Sequence, residues 1–355
     1  MSSRVYLDWN ATAPLRPAAR EAMIAAMDVV GNPSAVHGEG RAARSVVEKA
    51  RAQVAAAVGC ALAEVVFTSG ATEAAAVLAG LPGAVVVEPT AHDAVWAHRR
   101  SSDEDAGQGV SYAMGLANSE TGVIAELPKK DGDVWITEQG QADRLLLDIT
   151  QAVGRIPFSF AWCGADFAIL SAHKLGGPKG VGALILRDGV DIKPVLPGGG
   201  QEMGRRSGTE NVIGIAGFGA AAEAAQRDLD TGQWDTVEKL RNILETTLAS
   251  AANDTIFVGQ KLKRLPNTAC FATPGWKGET QVMQMDLAGF AVSSGSACSS
   301  GKVKSSRVLQ AMGLSDAEAK GALRVSLGPT TTEDEIVRFA EVWQQHHEKF
   351  RRRAA

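Results

Sequence analysis

Residues 167–180 read Phe-Ala-Ile-Leu-Ser-Ala-His-Lys-Leu-Gly-Gly-Pro-Lys-Gly, which is an apolar run followed by a lysine and a glycine-rich turn. Ligands of open α/β sheets bind at the carboxyl ends of the strands, so Lys174 stands where a ligand would lie. Its amine could form a Schiff base with a carbonyl compound. An isolated lysine is more often a solvated surface residue, so this interpretation needs support from the rest of the chain.

Further apolar runs of strand length occur on both sides of this segment, and stretches with helical periodicity separate them. The strand-like runs in this part of the chain are residues 64–67, 84–87, 145–148 and 182–186. The helix-like stretches are residues 17–30, 41–58, 211–227 and 234–249. Strands that alternate with helices predict a mostly parallel sheet covered on both faces.

The pattern changes near residue 230. Beyond it come short strand-like runs at 268–272, 290–292 and 323–326, a helix-like stretch at 279–287 and an amphipathic helix from Thr332. We therefore expect a second, smaller domain of α+β type after residue 230.

Composition excludes several classes of protein. Among 355 residues, Lys and Arg number 36 and Asp and Glu 40, so the net charge of −4 argues against nucleic acid as a direct partner. No apolar stretch is long enough to span a bilayer, and residues 1–8 show no apolar signal region, so we expect a cytoplasmic protein without membrane contact. The four cysteines are far apart in the sequence and form no CxxC pair, so we expect no disulfide framework and no metal site.

Two further segments could bind ligand groups, one a cationic ring nitrogen and the other a phosphate. Residues 145–151 read Leu-Leu-Leu-Asp-Ile-Thr-Gln, and a carboxylate at a strand end can pair with the cationic ring nitrogen of pyridoxal phosphate. Residues 67–73 read Phe-Thr-Ser-Gly-Ala-Thr-Glu, a strand, a tight turn and a helix start whose amides and dipole suit a phosphate. Taken alone, an acid such as Asp148 is more often a helix cap or a surface residue, whereas helix capping explains residues 67–73 equally well.

Cys298 lies in a small, polar, glycine-rich segment, residues 291–302, where a cysteine does not behave as a core residue. Such a thiol is either a candidate nucleophile or incidental. Two motifs of nucleotide-binding proteins fail in this chain. Residues 295–302 have the wrong spacing between glycines for a phosphate-binding loop, and Val303 stands where that motif needs a serine or threonine. Residues 217–222 loosely match the dinucleotide-binding fingerprint, but they lie in an alanine-rich helical run.

Together, in this order, these segments resemble the cysteine desulfurases, within the class V aminotransferase group of fold-type I enzymes that use pyridoxal 5'-phosphate. Further matching stretches are residues 7–14, 31–34, 197–202, 205–209 and 323–328. The resemblance implies a large domain, residues 12–230, with a mostly parallel sheet of the seven-stranded type covered by helices. It implies a small domain formed by residues 1–11 and 231–355, which carries the segment with Cys298.

The resemblance also implies how the cofactor is held. Lys174 resembles the lysine that binds the cofactor and moves the substrate proton, Asp148 the partner of the ring nitrogen, and Gln151 the partner of the ring hydroxyl. His92 resembles the histidine that stacks on the ring and assists proton transfer. Further cofactor contacts are implied for Ala71, Thr72, Ser171, His173 and, from the other subunit of a homodimer, Thr209.

For the substrate, L-cysteine, the resemblance implies an arginine fork at Arg324 that pairs with the carboxylate, and contacts from Asn118 and Asn32. Cys298 resembles the nucleophile that accepts the sulfur atom, which leaves L-alanine and a persulfide. The persulfide would pass to an acceptor protein of iron–sulfur cluster or thio-cofactor biosynthesis. The catalytic residues expected on this basis are Cys298, Lys174 and His92.

Three features depart from the family pattern. Ser119 stands where a second asparagine is usual, residues 93–117 form a short connection, and residues 131–143 suggest an added irregular loop. Three alternatives remain. The chain could be a selenocysteine lyase, another class V enzyme such as an aminotransferase, or a non-catalytic member that binds the cofactor. Transamination has no use for Cys298, and a non-catalytic member would be expected to lose one of the site residues.

Overall fold

The computed structural model describes residues 4–101, 108–194, 196–295 and 305–354. It divides into two compact bodies. The large body comprises Ala13–Ala117 and Ala125–Leu229, and the small body comprises Met1–Thr12, Asn118–Ile124 and Asp230–Ala355.

The strands, in chain order, are β1 (Val5–Tyr6), β2 (Val65–Thr68), β3 (Ala84–Val87), β4 (Val110–Gly115), β5 (Lys129–Asp131), β6 (Val134–Thr137), β7 (Gly140–Ala142), β8 (Arg144–Asp148), β9 (Phe167–Ser171), β10 (Gly182–Leu186), β11 (Ile256–Phe257), β12 (Thr268–Ala272), β13 (Phe290–Ala291), β14 (Ser293–Ser294) and β15 (Ala322–Ser326).

The α-helices are α1 (Pro17–Met27), α2 (Gly38–Val58), α3 (Ala71–Ala75), α4 (Val77–Gly80), α5 (Asp93–Trp96), α6 (Phe160–Cys163), α7 (Val212–Asp230), α8 (Gln233–Ala251), α9 (Gly278–Leu287), α10 (Arg307–Ala311), α11 (Asp316–Lys320) and α12 (Glu333–Ala354). Within the described residues, none of the helices combines the length and apolar character needed to cross a membrane.

The large body is built on a sheet with the strand order β2-β10-β9-β8-β4-β3. Strands β3, β4, β8 and β9 are parallel, whereas β10 is antiparallel to both β9 and β2. Strand β2 therefore runs in the same direction as β9, and five carboxyl ends meet at one edge of the sheet. Strands such as β9 and β10 are buried over their whole length, as expected of a sheet covered on both faces.

The seven-stranded type implied by the resemblance is corrected to six strands in the described part of the large body. The connection of residues 93–117 is short, and its described part contributes one strand, β4, to this sheet. Segment 131–143, expected as an irregular loop, is also different. It forms most of a three-stranded antiparallel sheet, β5-β6-β7, in which Trp135 and Ala142 are buried.

The small body has a four-stranded antiparallel sheet, β11-β12-β15-β14, and a parallel pair, β1-β13. The segment Asn118–Ile124 belongs to this body although it lies between two parts of the large one. The backbone explains this, because Ile124 N–H donates to Lys263 and Leu265 N–H donates to Gly122. Such long-range pairing leaves no local signal in the sequence.

Candidate active site

Polar residues of the large body collect at the carboxyl ends of its parallel strands. Asp148 ends β8, Ser171 ends β9, and Lys174 lies one short 3-10 turn beyond it. Strand β2 ends at Thr68 beside the turn of residues 69–72, which we call the phosphate turn because the sequence predicts that it binds a phosphate. Since β8 and β9 are neighbours, the sheet brings the carboxylate and the lysine to one edge, where ligands of such sheets bind.

Lys174 is partly buried and its backbone is held by a buried arginine. Arg155 donates from Nη2 to the carbonyl oxygen of Lys174 at 3.0 Å, and from Nη1 to Oε1 of Gln151. An arginine only donates, so the Gln151 atom that faces it must be the oxygen. The orientation of Gln151 is thus fixed, with its amide NH2 as the donor for any other partner.

Asp148 is held by its own strand end. Its Oδ1 accepts the backbone N–H of Thr150 at 2.9 Å, which restricts rotation of the carboxylate. The side chain lies at the end of a run of three buried leucines, Leu145, Leu146 and Leu147. This carboxylate is therefore both anchored and placed beside the end of the strand that precedes Lys174.

The phosphate turn is bonded to the end of β9. Ser171 Oγ accepts the backbone N–H of Ala71 at 2.7 Å, so the Ser171 hydroxyl keeps its own proton for another acceptor. Gly182 allows this close approach, because a Cβ there would lie 2.7 Å from the Cα of Gly70. Thr72, in the first turn of α3, is exposed.

His173 is kept neutral. Burial, and next the positive charge of Lys174, lower the pKa of His173 from 6.5 to about 4. A neutral imidazole carries one N–H donor, which can serve an anionic ligand without titrating near pH 7.

His92 caps helix α5, a role that the sequence reasoning missed. Its Nδ1 accepts the backbone N–H of Ala94 at 3.1 Å, which assigns the ring proton of the neutral form to Nε2. The Ala91-His92-Asp93 order, a residue with a polar side chain before a helix start, is the signal that could have found it. Two other expected residues, Thr209 and Asn32, are exposed, and Asn32 Oδ1 accepts the backbone N–H of Ser34 at 2.9 Å.

In the small body, Arg324 of β15 is buried, with 3% of its surface exposed. Its Nη2 donates to Asp8 Oδ1 at 2.8 Å, and its Nη1 donates to the backbone carbonyl of Ser119 at 2.9 Å. Its Nε has no hydrogen-bond partner among the described residues although it is buried. Asp8 in turn accepts the hydroxyl of Ser293 through Oδ2 at 2.8 Å.

Asp8 lies in the matching stretch 7–14 but had no predicted role, although it forms the ion pair with Arg324. Asn118, expected to contact the substrate, uses its Oδ1 to accept the backbone N–H groups of Glu120 and Thr121 at 2.9 and 3.0 Å. These bonds shape the turn that presents the Ser119 carbonyl to Arg324. Cys298 lies outside the described residues.

The described part of the chain holds no group of three or more His, Cys, Asp or Glu residues able to bind a metal ion. Its three described cysteines are poor nucleophiles, since burial raises the thiol pKa in each and takes that of Cys60 to about 12.

Comparison with known proteins extends the match over almost the whole chain. Residues 5–94 and 110–339 match the family aminotransferase class-V. The chain is 39% identical to a cysteine desulfurase of Cereibacter sphaeroides, over 96% of this chain and 94% of that protein. It is 34% identical to the cysteine desulfurase IscS of Dictyoglomus turgidum, over 99% and 96%. The crystal structure of a NifS-like protein from Rickettsia africae, 30% identical, superimposes with a TM-score of 0.84 and covers 97% of this chain and 99% of that one.

Proposed function

Because this chain belongs to the class V aminotransferase family, we propose that it is a cysteine desulfurase that depends on pyridoxal 5'-phosphate and takes the sulfur atom from L-cysteine, leaving L-alanine. The observation that carries this proposal is the meeting of Asp148, Lys174 and the phosphate turn at one edge of the sheet. The names of relatives at 34% and 39% identity support the substrate.

The residues at the sheet edge fit the cofactor by the chemistry of their donors and acceptors. The phosphate group needs donors, and the Ser171 hydroxyl, the neutral His173 and the first-turn amides of α3 beyond Ala71, whose own N–H donates to Ser171, would supply them. The ring nitrogen needs an anionic partner, which Asp148 supplies, and the oriented NH2 of Gln151 suits the ring hydroxyl. When bound, the cofactor supplies an electron sink for the bonds at the substrate α-carbon.

Each residue would then have a defined role. Lys174 would hold the cofactor and accept the proton that leaves the substrate α-carbon, and Asp148 would hold a proton at the ring nitrogen. His92, with its proton on Nε2, serves beside the ring. Ala71, Thr72 and Ser171 contact the phosphate, and Thr209 is proposed to reach the same group in the partner of a homodimer.

Arg324 is proposed to bind the substrate carboxylate. Its buried Nε lacks a partner among the described residues, and a buried donor without an acceptor is costly unless a ligand supplies one. Asn118 and Asn32 are further proposed substrate contacts.

Cys298 is proposed as the sulfur acceptor. Its thiolate attacks the substrate sulfur, a sulfur–sulfur bond forms, and the carbon–sulfur bond breaks with its electron pair left to carbon. A proton then completes alanine, and the Cys298 persulfide holds the sulfur for an acceptor protein. The raised thiol pKa values of the described cysteines favour Cys298 over each of them.

The test measures alanine and sulfide released from L-cysteine in the presence of a reductant. The wild type should release both in equal amounts. Cys298→Ala should release neither while keeping the yellow bound cofactor, and the matched variant Cys163→Ala should behave as the wild type. Alanine release by Cys298→Ala at the wild-type rate would refute the role of Cys298. Failure of the wild type to act on L-cysteine, when it acts on selenocysteine, would instead favour the lyase.

A further inference from the structure

Residues 196–211, which we call the edge loop, contact β2, one of the two outermost strands of the sheet, through Glu202. Arg51 Nη1 donates to the Val65 carbonyl, and Glu202 Oε2 accepts the Phe67 N–H, both at 2.8 Å. Arg51 and Glu202 also form two bonds with each other, at 2.8 Å each. This buried ion pair occupies backbone groups of β2 that an additional strand would otherwise pair with.

A second tie joins the edge loop to the phosphate turn. Arg206 donates from Nε to Glu73 Oε1 at 2.9 Å, and Glu73 Oε2 accepts the backbone N–H of Ser69 at 2.8 Å. Burial raises the pKa of Glu73, but the bonds from Arg206 and Ser69 outweigh it and lower the pKa below the usual value. Glu73 is therefore ionised at neutral pH.

This carboxylate creates an electrostatic conflict at the phosphate turn. A negative charge in the first turn of α3 is favourable for the helix dipole. The same charge repels a phosphate dianion bound by that turn, and by Coulomb's law the repulsion is appreciable over a few ångströms. The described side chain that cancels the charge is Arg206, and it comes from the edge loop.

We propose that Arg206 is a positioning residue, whose guanidinium neutralises Glu73 and keeps it bonded to Ser69, so that the phosphate turn accepts the cofactor phosphate. The inference rests on the proposed function, which assigns the phosphate to this turn. The inference explains how the phosphate turn can bind a phosphate although Glu73 places a negative charge beside it.

The experiment titrates the apoenzyme with pyridoxal 5'-phosphate and, separately, with pyridoxal, which lacks the phosphate. Arg206→Met exposes the charge of Glu73, so it should weaken binding of the phosphorylated compound about tenfold and change binding of pyridoxal by less than about twofold. The double variant Glu73→Gln with Arg206→Met removes the repelling charge and should recover most of the lost affinity. The matched control is Arg205→Met, since Arg205 is the neighbouring arginine and donates to the backbone carbonyl of Ala63.

A purely structural role of Arg206 predicts different results. The two ligands would then weaken by the same factor, or the double variant would bind the phosphorylated compound no better than Arg206→Met, and either result overturns the proposal. If wild-type apoenzyme binds neither ligand, the proposed function fails at its cofactor, and this result is separate from any effect of Arg206.

Discussion

Replacing Glu202 with glutamine should loosen the outer edge of the large sheet. The carboxylate accepts three donors, which are two from Arg51 and the N–H of Phe67, and only 2% of its side chain is exposed. Glutamine has one oxygen, so its NH2 must face at least one of these donors in any orientation. The substitution therefore removes a charge and forces a contact between donors while preserving the shape of the side chain.

Glu202→Gln should lower the free energy of unfolding by about 3 kcal/mol, the lower end of the range for breaking a buried ion pair. We expect the lower end because the glutamine oxygen can keep the two hydrogen bonds that Oε2 accepts. Since about 1.4 kcal/mol corresponds to a factor of ten, the Phe67 amide should exchange with deuterium about 100-fold faster. Overlapping peptides that cover β2 in hydrogen-exchange mass spectrometry measure this rate.

The matched control is Glu245→Gln, which breaks a similarly buried pair with Arg264 in the small body. It should accelerate exchange around α8 and leave β2 unchanged. If Glu202→Gln changes exchange of β2 by less than about threefold, the ion pair does not hold this edge and the reasoning is refuted.

Three further perturbations test other parts of the molecule. Arg324→Lys should raise KM for L-cysteine by about 10- to 100-fold with a smaller change in kcat, because an ammonium cannot reproduce the hydrogen bonds of a guanidinium. An unchanged KM in steady-state kinetics would contradict the proposed role of Arg324. His173 has a folded-state pKa of about 4, below its ordinary 6.5, so the unfolded chain takes up the proton first and stability is lost as pH falls through this window. Urea unfolding of the apoenzyme at pH 7 and pH 5 should therefore show a smaller loss for His173→Gln than for the wild type. Met203 is exposed with φ of 58°, a left-handed conformation that costs a residue with a Cβ about 1–2 kcal/mol. Glycine avoids this cost but loses about 0.5–1 kcal/mol of backbone entropy, so Met203→Gly should stabilise the protein by about 0.5 kcal/mol, seen as a higher urea midpoint.

The strands and helices that build the large body could be predicted because each carries its signal locally. Strands β9 and β10 fall at residues 167–171 and 182–186, where the apolar runs predicted them. A strand buried on both faces must be apolar throughout, so a continuous apolar run in the sequence marks where the strand lies in the chain. Asp148 and Lys174 follow from the same logic, since both stand directly after such runs.

The parts that could not be predicted depend on partners distant in the chain. The ion pair of Arg51 with Glu202 joins residues 151 positions apart, and that of Asp8 with Arg324 joins residues 316 positions apart. Periodicity and spacing report only on neighbours, so neither pair leaves a trace. The β5-β6-β7 sheet was missed for a related reason, because its polar strands are recognisable only once Trp135 is known to be buried.

The departure at Ser119 bears on whether the chain is an enzyme. The asparagine usual at this position is expected to reach the cofactor hydroxyl or the substrate with its side chain, so Ser119 puts that contact in doubt and is the one sign that favours a non-catalytic protein. The contact that position 119 makes with Arg324 comes from its backbone carbonyl, which every residue type has. The turn that presents this carbonyl is shaped by Asn118, which is retained. The hydrogen bonds that hold Arg324 therefore survive the substitution. Among the described residues the buried Arg324 Nε has no hydrogen-bond partner, and a bound substrate would supply the acceptor that offsets this free-energy cost.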